Sequence, residues 1–416
     1  MIYSQKSHQR RIFRSDGQLA ILLAVSLLYV GFGMTMGLIQ GGLPTVMRDR
    51  GMSLGGAGWL YLLYLPFGIS FLWSPLVDRW RLPFWSAELG WIIPLQVFSA
   101  LAAVAAALKQ GAHQGVLFAI GLFMAIAMAT MDIALDALVV ERINAAWRPR
   151  AAAGQLGALA IGAILGGGAF VALFDSLGWT MLLLGYACCL LLFVIPLWCL
   201  TSVRSPRDSA SETPGQRASL RYLLTTPAQR NRLILLTLAC CVIFPLSALN
   251  RLMLLDLQVP MATIGWVVGS LGPLTMLITA VISPPLMQRY GLPAVIWFFT
   301  VVGVLALLAM AAGYMLRQPE VALCGAVIIG AAVSGIYVVL SARILGWSQG
   351  KQPATDYATF YGVGRFASTL TTIVFAQLVS LISWPLFYLG GALALLMMAI
   401  LLRSAVNGEE KNNESE

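Results

Sequence analysis

Three carboxylates stand inside long apolar runs of this sequence: Glu88, Asp132 and Asp136. An ionised group in a hydrocarbon setting is costly, so each is a candidate for function. Asp132 and Asp136 are four residues apart and share one face of a helix. Two acids one turn apart can take up and release a proton, so the pair is a candidate proton-coupling or substrate site. The competing reading is an ion pair with Arg142 or Arg81 that locks one side of the protein. Counting back from the end of their run, the pair lies about 12 Å and 6 Å from the membrane edge. Glu88 sits at a similar depth and reads as a structural partner.

A second constellation surrounds Arg365, the most interior cation. Tyr357, Tyr361 and Arg365 fall on one helix face, with Phe360 alongside. Phenols beside a guanidinium suit an aromatic carboxylate, through ring contact and bidentate pairing. The alternative is that Arg365 snorkels to the surface and the tyrosines belong to an interfacial belt. Gln40, with Tyr29 and Met36 on the same run, either faces a cavity or packs between helices. Arg251, beside Asn250 near the end of its run, reads as a snorkelling side chain. No enzyme constellation accompanies these residues: His8 and His113 lie outside the apolar runs, and no Gly-x-x-x-x-Gly-Lys-Ser/Thr loop is present. The chain is therefore expected not to be an enzyme, to need no cofactor or bound metal, and to draw on a gradient rather than ATP.

The elements that position these groups follow from composition. Of 416 residues, 59% are apolar and 10% charged, with a mean hydropathy of +0.83. Soluble domains carry about 25% charged residues, so the partner of this surface is a lipid bilayer. The net charge of +9 is dispersed over short loops and forms no stripe that could take nucleic acid. The six cysteines all sit in apolar runs, without metal-site or disulfide spacing. The basic N-terminus resembles a signal-peptide start, but the apolar run behind it is about twice the usual length, and no cleavage site follows.

A span needs about 20 apolar residues. Twelve runs qualify: 19–46, 55–76, 84–108, 114–140, 152–174, 178–201, 233–255, 262–284, 293–315, 321–342, 358–382 and 385–403. Pro66, Pro245 and Pro273 are expected to kink their helices, and Gly166, Gly167 and Gly168 to allow close helix approach. With the N-terminus inside, only Arg48, Arg50, Lys109, Arg251 and Arg317 of the 26 basic residues lie outside. That asymmetry predicts a multi-pass protein of a bacterial inner membrane with both termini cytoplasmic.

The chain also repeats itself. Ser74-Pro-Leu-Val-Asp-Arg-Trp-Arg-Leu-Pro83 follows the second run and Pro284-Pro-Leu-Met-Gln-Arg-Tyr-Gly-Leu-Pro293 the eighth. A weaker echo pairs Glu141-Arg-Ile143 and Trp147 with Ala342-Arg-Ile344 and Trp347. This second offset sets Asp132 and Asp136 against Val333 and Tyr337, so the acid pair belongs to one half only. The expected organisation is a cytoplasmic N-tail 1–18, a six-helix bundle 19–203, a cytoplasmic linker 204–232, a second bundle 233–403 and a C-tail 404–416. The fold class is all-α membrane protein, with twelve transmembrane helices in two six-helix pseudo-repeats.

Parallel six-helix repeats mark major facilitator transporters, and the loop Ser74-x-Leu76-x-Asp78-Arg79-x-Arg81 resembles that superfamily's motif, with Ser74 in place of the usual Gly. Phe71-Leu-Trp-Ser-Pro-Leu-Val-Asp-Arg79 and Met131-Asp-Ile-Ala-Leu-Asp-Ala137 resemble signatures of the muropeptide permease group. That group includes a shorter branch of siderophore permeases, of the pyochelin and yersinibactin type, which the twelve runs fit. The resemblance implies a monomeric importer that carries a siderophore or ferric chelate by proton symport. It implies a cavity lined by the fourth helix; Tyr337, Tyr361, Tyr357, Arg365 and Gln40 are the candidate substrate-binding residues. It also implies a gating latch of Asp78, Arg79 and Arg81 with Arg142. Muropeptide import and drug export stay open, although the fifth run lacks the Gly-Pro motif of the superfamily's antiporters. A membrane sensor built on a transporter fold is the reading from another class.

Overall fold

Long apolar runs in a bilayer satisfy their own backbone only as helices, and the computed structural model is almost wholly helical. It describes residues 2–79, 87–109, 114–144, 147–200, 226–347 and 353–414, with backbone alone at 2–16, 71, 75, 78–79, 87–88, 140–141, 148–149, 345–346, 353–358 and 404–414. Eleven described helices are long and apolar enough to cross a membrane: Gly17–Asp49, Leu89–Leu108, Gln114–Val139, Arg150–Ala172, Phe174–Cys199, Pro227–Asp256, Met261–Tyr290, Leu292–Met315, Pro319–Ile344, Thr359–Ile382 and Trp384–Arg403. They coincide with eleven of the twelve expected runs and are called here the first and the third to twelfth spans. The remaining run, at 55–76, is broken into short segments, Leu54–Trp59, Leu60–Tyr64, Leu65–Ile69, Ser70–Leu72 and Ser74–Arg79. Its glycines and Pro66 explain the breaks, since each lowers the helical preference of a single stretch.

Irregular turns recur inside the spans. Pro66 starts a fresh helical segment in the second run, and the seventh helix stops after Ala248, just beyond Pro245, and resumes at Asn250. Wider π-helical turns occupy Leu38–Gly42, Ile164–Ala169 and Ile264–Leu271, the last directly before Pro273. Such turns free carbonyl groups that a regular helix would use, and they often mark functional sites.

The chain packs as two compact units. The first comprises 1–36, 72–166 and 177–212, the second 37–71, 167–176 and 213–416. The repeat divides the chain by order; these units divide it by packing, and the far ends of the first and fifth spans group with the later helices. In the first unit the backbones of the first and fifth spans nearly touch: a Cβ on Gly162 would collide with the Val30 carbonyl, and one on Gly166 with that of Met34. In the second unit Gly168 and Gly269 meet backbone to backbone. Small residues permit this approach, and dispersion and weak Cα–H···O contacts hold it. The expected close approach at Gly166 to Gly168 is thus what the fold uses.

Candidate functional site

In the first unit the fourth span carries the acid pair. Asp136 Oδ1 accepts a hydrogen bond from the hydroxyl of Tyr29 on the first span. The same oxygen accepts one from Gln155 Nε2 on the fifth, at 3.4 Å. Tyr29 is only 2% exposed, whereas Asp136 is open on one side. Among the described residues the second carboxylate oxygen accepts no hydrogen bond, so it can take a proton or a donor from a ligand. Asp132, half-buried one turn earlier, lies within electrostatic reach of Tyr29. The described donors to Asp136 are therefore a phenol and an amide. Arg142 is half-buried at the end of its helix, where its carbonyl accepts from Gln18 Nε2 at 3.0 Å.

The second unit holds the aromatic constellation. Phe244 of the seventh span meets Tyr337 of the tenth edge to face at 5.2 Å, and Tyr337 lies 6.3 Å from Tyr361 of the eleventh. The Arg365 guanidinium lies 4.4 Å from the Tyr361 ring and 5.5 Å from that of Tyr64 on the second run. Tyr64 continues the row to Phe67, at 5.5 Å. One helix of the two units thus uses a carboxylate, Asp136, where its repeat counterpart uses an aromatic, Tyr337. Arg365 is half-buried, with its guanidinium against the Tyr361 and Tyr64 rings. Tyr357 contributes backbone to the same helix, but its side chain lies outside the described residues. Gln40 is exposed on the π-helical turn of the first span.

The latch expected at Asp78, Arg79 and Arg81 cannot be traced. The side chains of Asp78 and Arg79 and the whole of Arg81 lie outside the described residues, as does the Glu88 side chain. An ion pair is present among the described residues. Arg48, in the last turn of the first span, donates Nη2 to Asp256 Oδ1 at 2.9 Å, at the end of the seventh. Trp384 Nε1 donates to the other oxygen at 2.7 Å, and Arg48 Nη1 to the Met52 carbonyl at 2.9 Å. By sequence, Arg48 and Asp256 fall just beyond the apolar runs 19–46 and 233–255, and no local pattern joins them.

Arg251 overturns another expectation. It does not snorkel: its guanidinium packs against Gly41 of the first span and donates Nη1 to the Gly167 carbonyl at 2.8 Å. Both neighbours belong to π-helical turns, which supply the gap and the free carbonyl. A run of apolar residues ending in one Arg does not reveal such a gap on another helix.

Eleven described helices long and apolar enough to cross a membrane, and a twelfth apolar run broken into short segments, fit a polytopic membrane protein. The profile of the Major Facilitator Superfamily matches residues 25–255. The chain belongs to that superfamily, and the comparisons support a transporter rather than an enzyme. Among curated proteins it is similar to the anhydromuropeptide permease of Escherichia coli, with 31% identity over 157 residues. That stretch is 37% of this chain and 32% of the permease, so the match spans about a third of the relative's length. Two solved structures share the fold. One is a nucleoside transporter, with a TM-score of 0.66 and 16% identity, covering 93% of this chain and 99% of that one. The other is a bacterial homologue of the iron transporter ferroportin in an inward-facing state, with a TM-score of 0.64 and 16% identity, covering 94% and 98%.

Proposed function

We propose that this protein is a secondary importer of a bacterial inner membrane, with both termini in the cytoplasm, that carries an anhydromuropeptide-type solute with a proton. The observation that carries the substrate class is the 31% identity to an anhydromuropeptide permease. Such solutes bear carboxylates, and Arg365, set against Tyr361 and Tyr64, offers a cation for one of them. The topology rests on the basic residues, all but five of which fall in segments on the same side of the membrane as the N-terminus.

In this reading Asp136 is the proton carrier. Tyr29 orients one oxygen and leaves the other open, so a proton loads there on one side of the membrane and leaves on the other. Asp132, one turn away, strengthens the dependence of each group on the other's charge. Coupling follows if the proton binds the two states of the carrier with different affinity. The outer side is closed by the Arg48–Asp256 pair and the Gly168–Gly269 contact. The inner latch of Asp78, Arg79 and Arg81 alternates with them.

The second reading is a siderophore, free or ferric, and the aromatic row from Phe244 to Phe67 favours it. In this reading iron travels within its chelator, and among the described residues no cluster of His, Cys, Asp or Glu could hold a metal. Uptake assays with labelled anhydromuramyl tripeptide and with labelled ferric siderophores, in cells with and without the protein, separate the two. Accumulation of the tripeptide supports the first reading; accumulation of iron alone replaces it with the second.

A further inference from the structure

Arg251 is a charged group five residues short of the end of its span, about 7 to 8 Å below Asp256 along the helix. Among the described residues it makes no ion pair. Asp256, five residues on along the same span, is engaged by Arg48 and Trp384. The hydroxyl of Tyr61, another neighbour, is committed to the Ala248 carbonyl at 2.7 Å. One bond to the Gly167 carbonyl uses a single donor of the five that a guanidinium carries. A cation at this depth without an anion is costly, yet the fold makes room for it: any side chain at Gly41 would collide with its Nη1. Gln40, the residue before that glycine, is exposed.

We propose that Arg251 anchors an anion site in the second unit, and that a carboxylate of the transported solute binds there, beside Gln40. The π-helical turns of the first and fifth spans serve the site. One supplies the gap that admits the guanidinium, and the other supplies a carbonyl that fixes its plane, so the remaining N–H groups form a planar fork. This inference rests on the transport reading above and adds a residue that sequence reading assigned to snorkelling. Arg251 lies on the seventh span and Arg365 on the eleventh.

The test does not depend on knowing the solute. In a full-length background without native cysteines, Gln40→Cys is placed in vesicles of neutral lipid that are permeable on both sides. It is then reacted with anionic and cationic methanethiosulfonate reagents. Relative to a small free thiol, the anionic reagent should react on the order of tenfold faster than the cationic one. Adding Arg251→Gln should abolish that preference. Equal rates, no reaction at all, or a preference untouched by Arg251→Gln would overturn the proposal and leave Arg251 as a cap for the Gly167 carbonyl. Loss of the preference on adding phosphatidylglycerol would assign the site to a lipid headgroup and overturn it as well. Protection by anhydromuramyl tripeptide, but not by its amide, extends the site to that solute. A clear anionic preference without protection keeps the anion site and refutes the muropeptide reading instead.

Discussion

Removing Asp256 should unlatch the outer side. Its carboxylate accepts from Arg48 at 2.9 Å and from the Trp384 indole at 2.7 Å, and the ion-paired side chains are 27% and 22% exposed. A hydrogen bond to a charged group contributes about 1.5–3 kcal/mol when buried. Partial exposure and screening reduce this, so the pair and the indole together should favour the closed state by about 2 kcal/mol. At 1.36 kcal/mol per decade, that is roughly a 30-fold change in the ratio of open to closed. A reporter is available in Ala57, fully buried on the second run. With Ala57→Cys in a cysteine-free background, Asp256→Ala should raise labelling by a membrane-impermeant maleimide from outside by about that factor. The exchanged pair, Arg48→Asp with Asp256→Arg, should restore much of the protection. Labelling unchanged by Asp256→Ala would refute the reasoning, because a contact that differs between two states must shift their balance when removed.

Three further outcomes follow from the same geometry. Tyr29→Phe keeps the ring but deletes the buried bond to Asp136, and at about 1.5–3 kcal/mol it should slow uptake at least roughly tenfold at normal membrane abundance; unchanged uptake would remove Asp136 from the mechanism. Asp136→Asn should lose accumulation against a gradient yet retain exchange of labelled for unlabelled solute, whereas loss of neither would mark the acid as structural. Arg365→Lys keeps the charge but not the flat face against Tyr361 and Tyr64. Its apparent affinity should weaken by about fivefold, from the ~1 kcal/mol typical of such contacts, and parent-like kinetics would return Arg365 to a packing role.

The spans were readable because lipid leaves a long apolar run little choice but a helix. The second run was readable in place but not in form. Its glycines and Pro66 signalled weakness, yet where the helix breaks depends on what packs there, such as Gly68 against the Phe366 backbone. The acid pair's shared face followed from a four-residue spacing. Its partners, Tyr29 and Gln155, come from other helices, and no local pattern joins residues 107 positions apart. The same holds for Tyr64 beside Arg365. Tyr361 was legible because it lies one turn away on the same helix. Arg48 and Asp256 read as scattered loop charges until two span ends met. Arg251 was misjudged because its distance from the span end suggested an escape to water, while its actual place depends on a gap at Gly41.

The central claim is proton-driven import of an anhydromuropeptide-type solute. It is tested most directly with the purified protein in lipid vesicles, labelled anhydromuramyl tripeptide outside and an imposed pH gradient. Proton symport predicts accumulation above the outside concentration only when the outside is the more acidic. Collapsing the gradient with a protonophore should abolish it. Equal uptake with and without the gradient would contradict proton coupling, and no uptake of the tripeptide under any gradient would contradict the substrate.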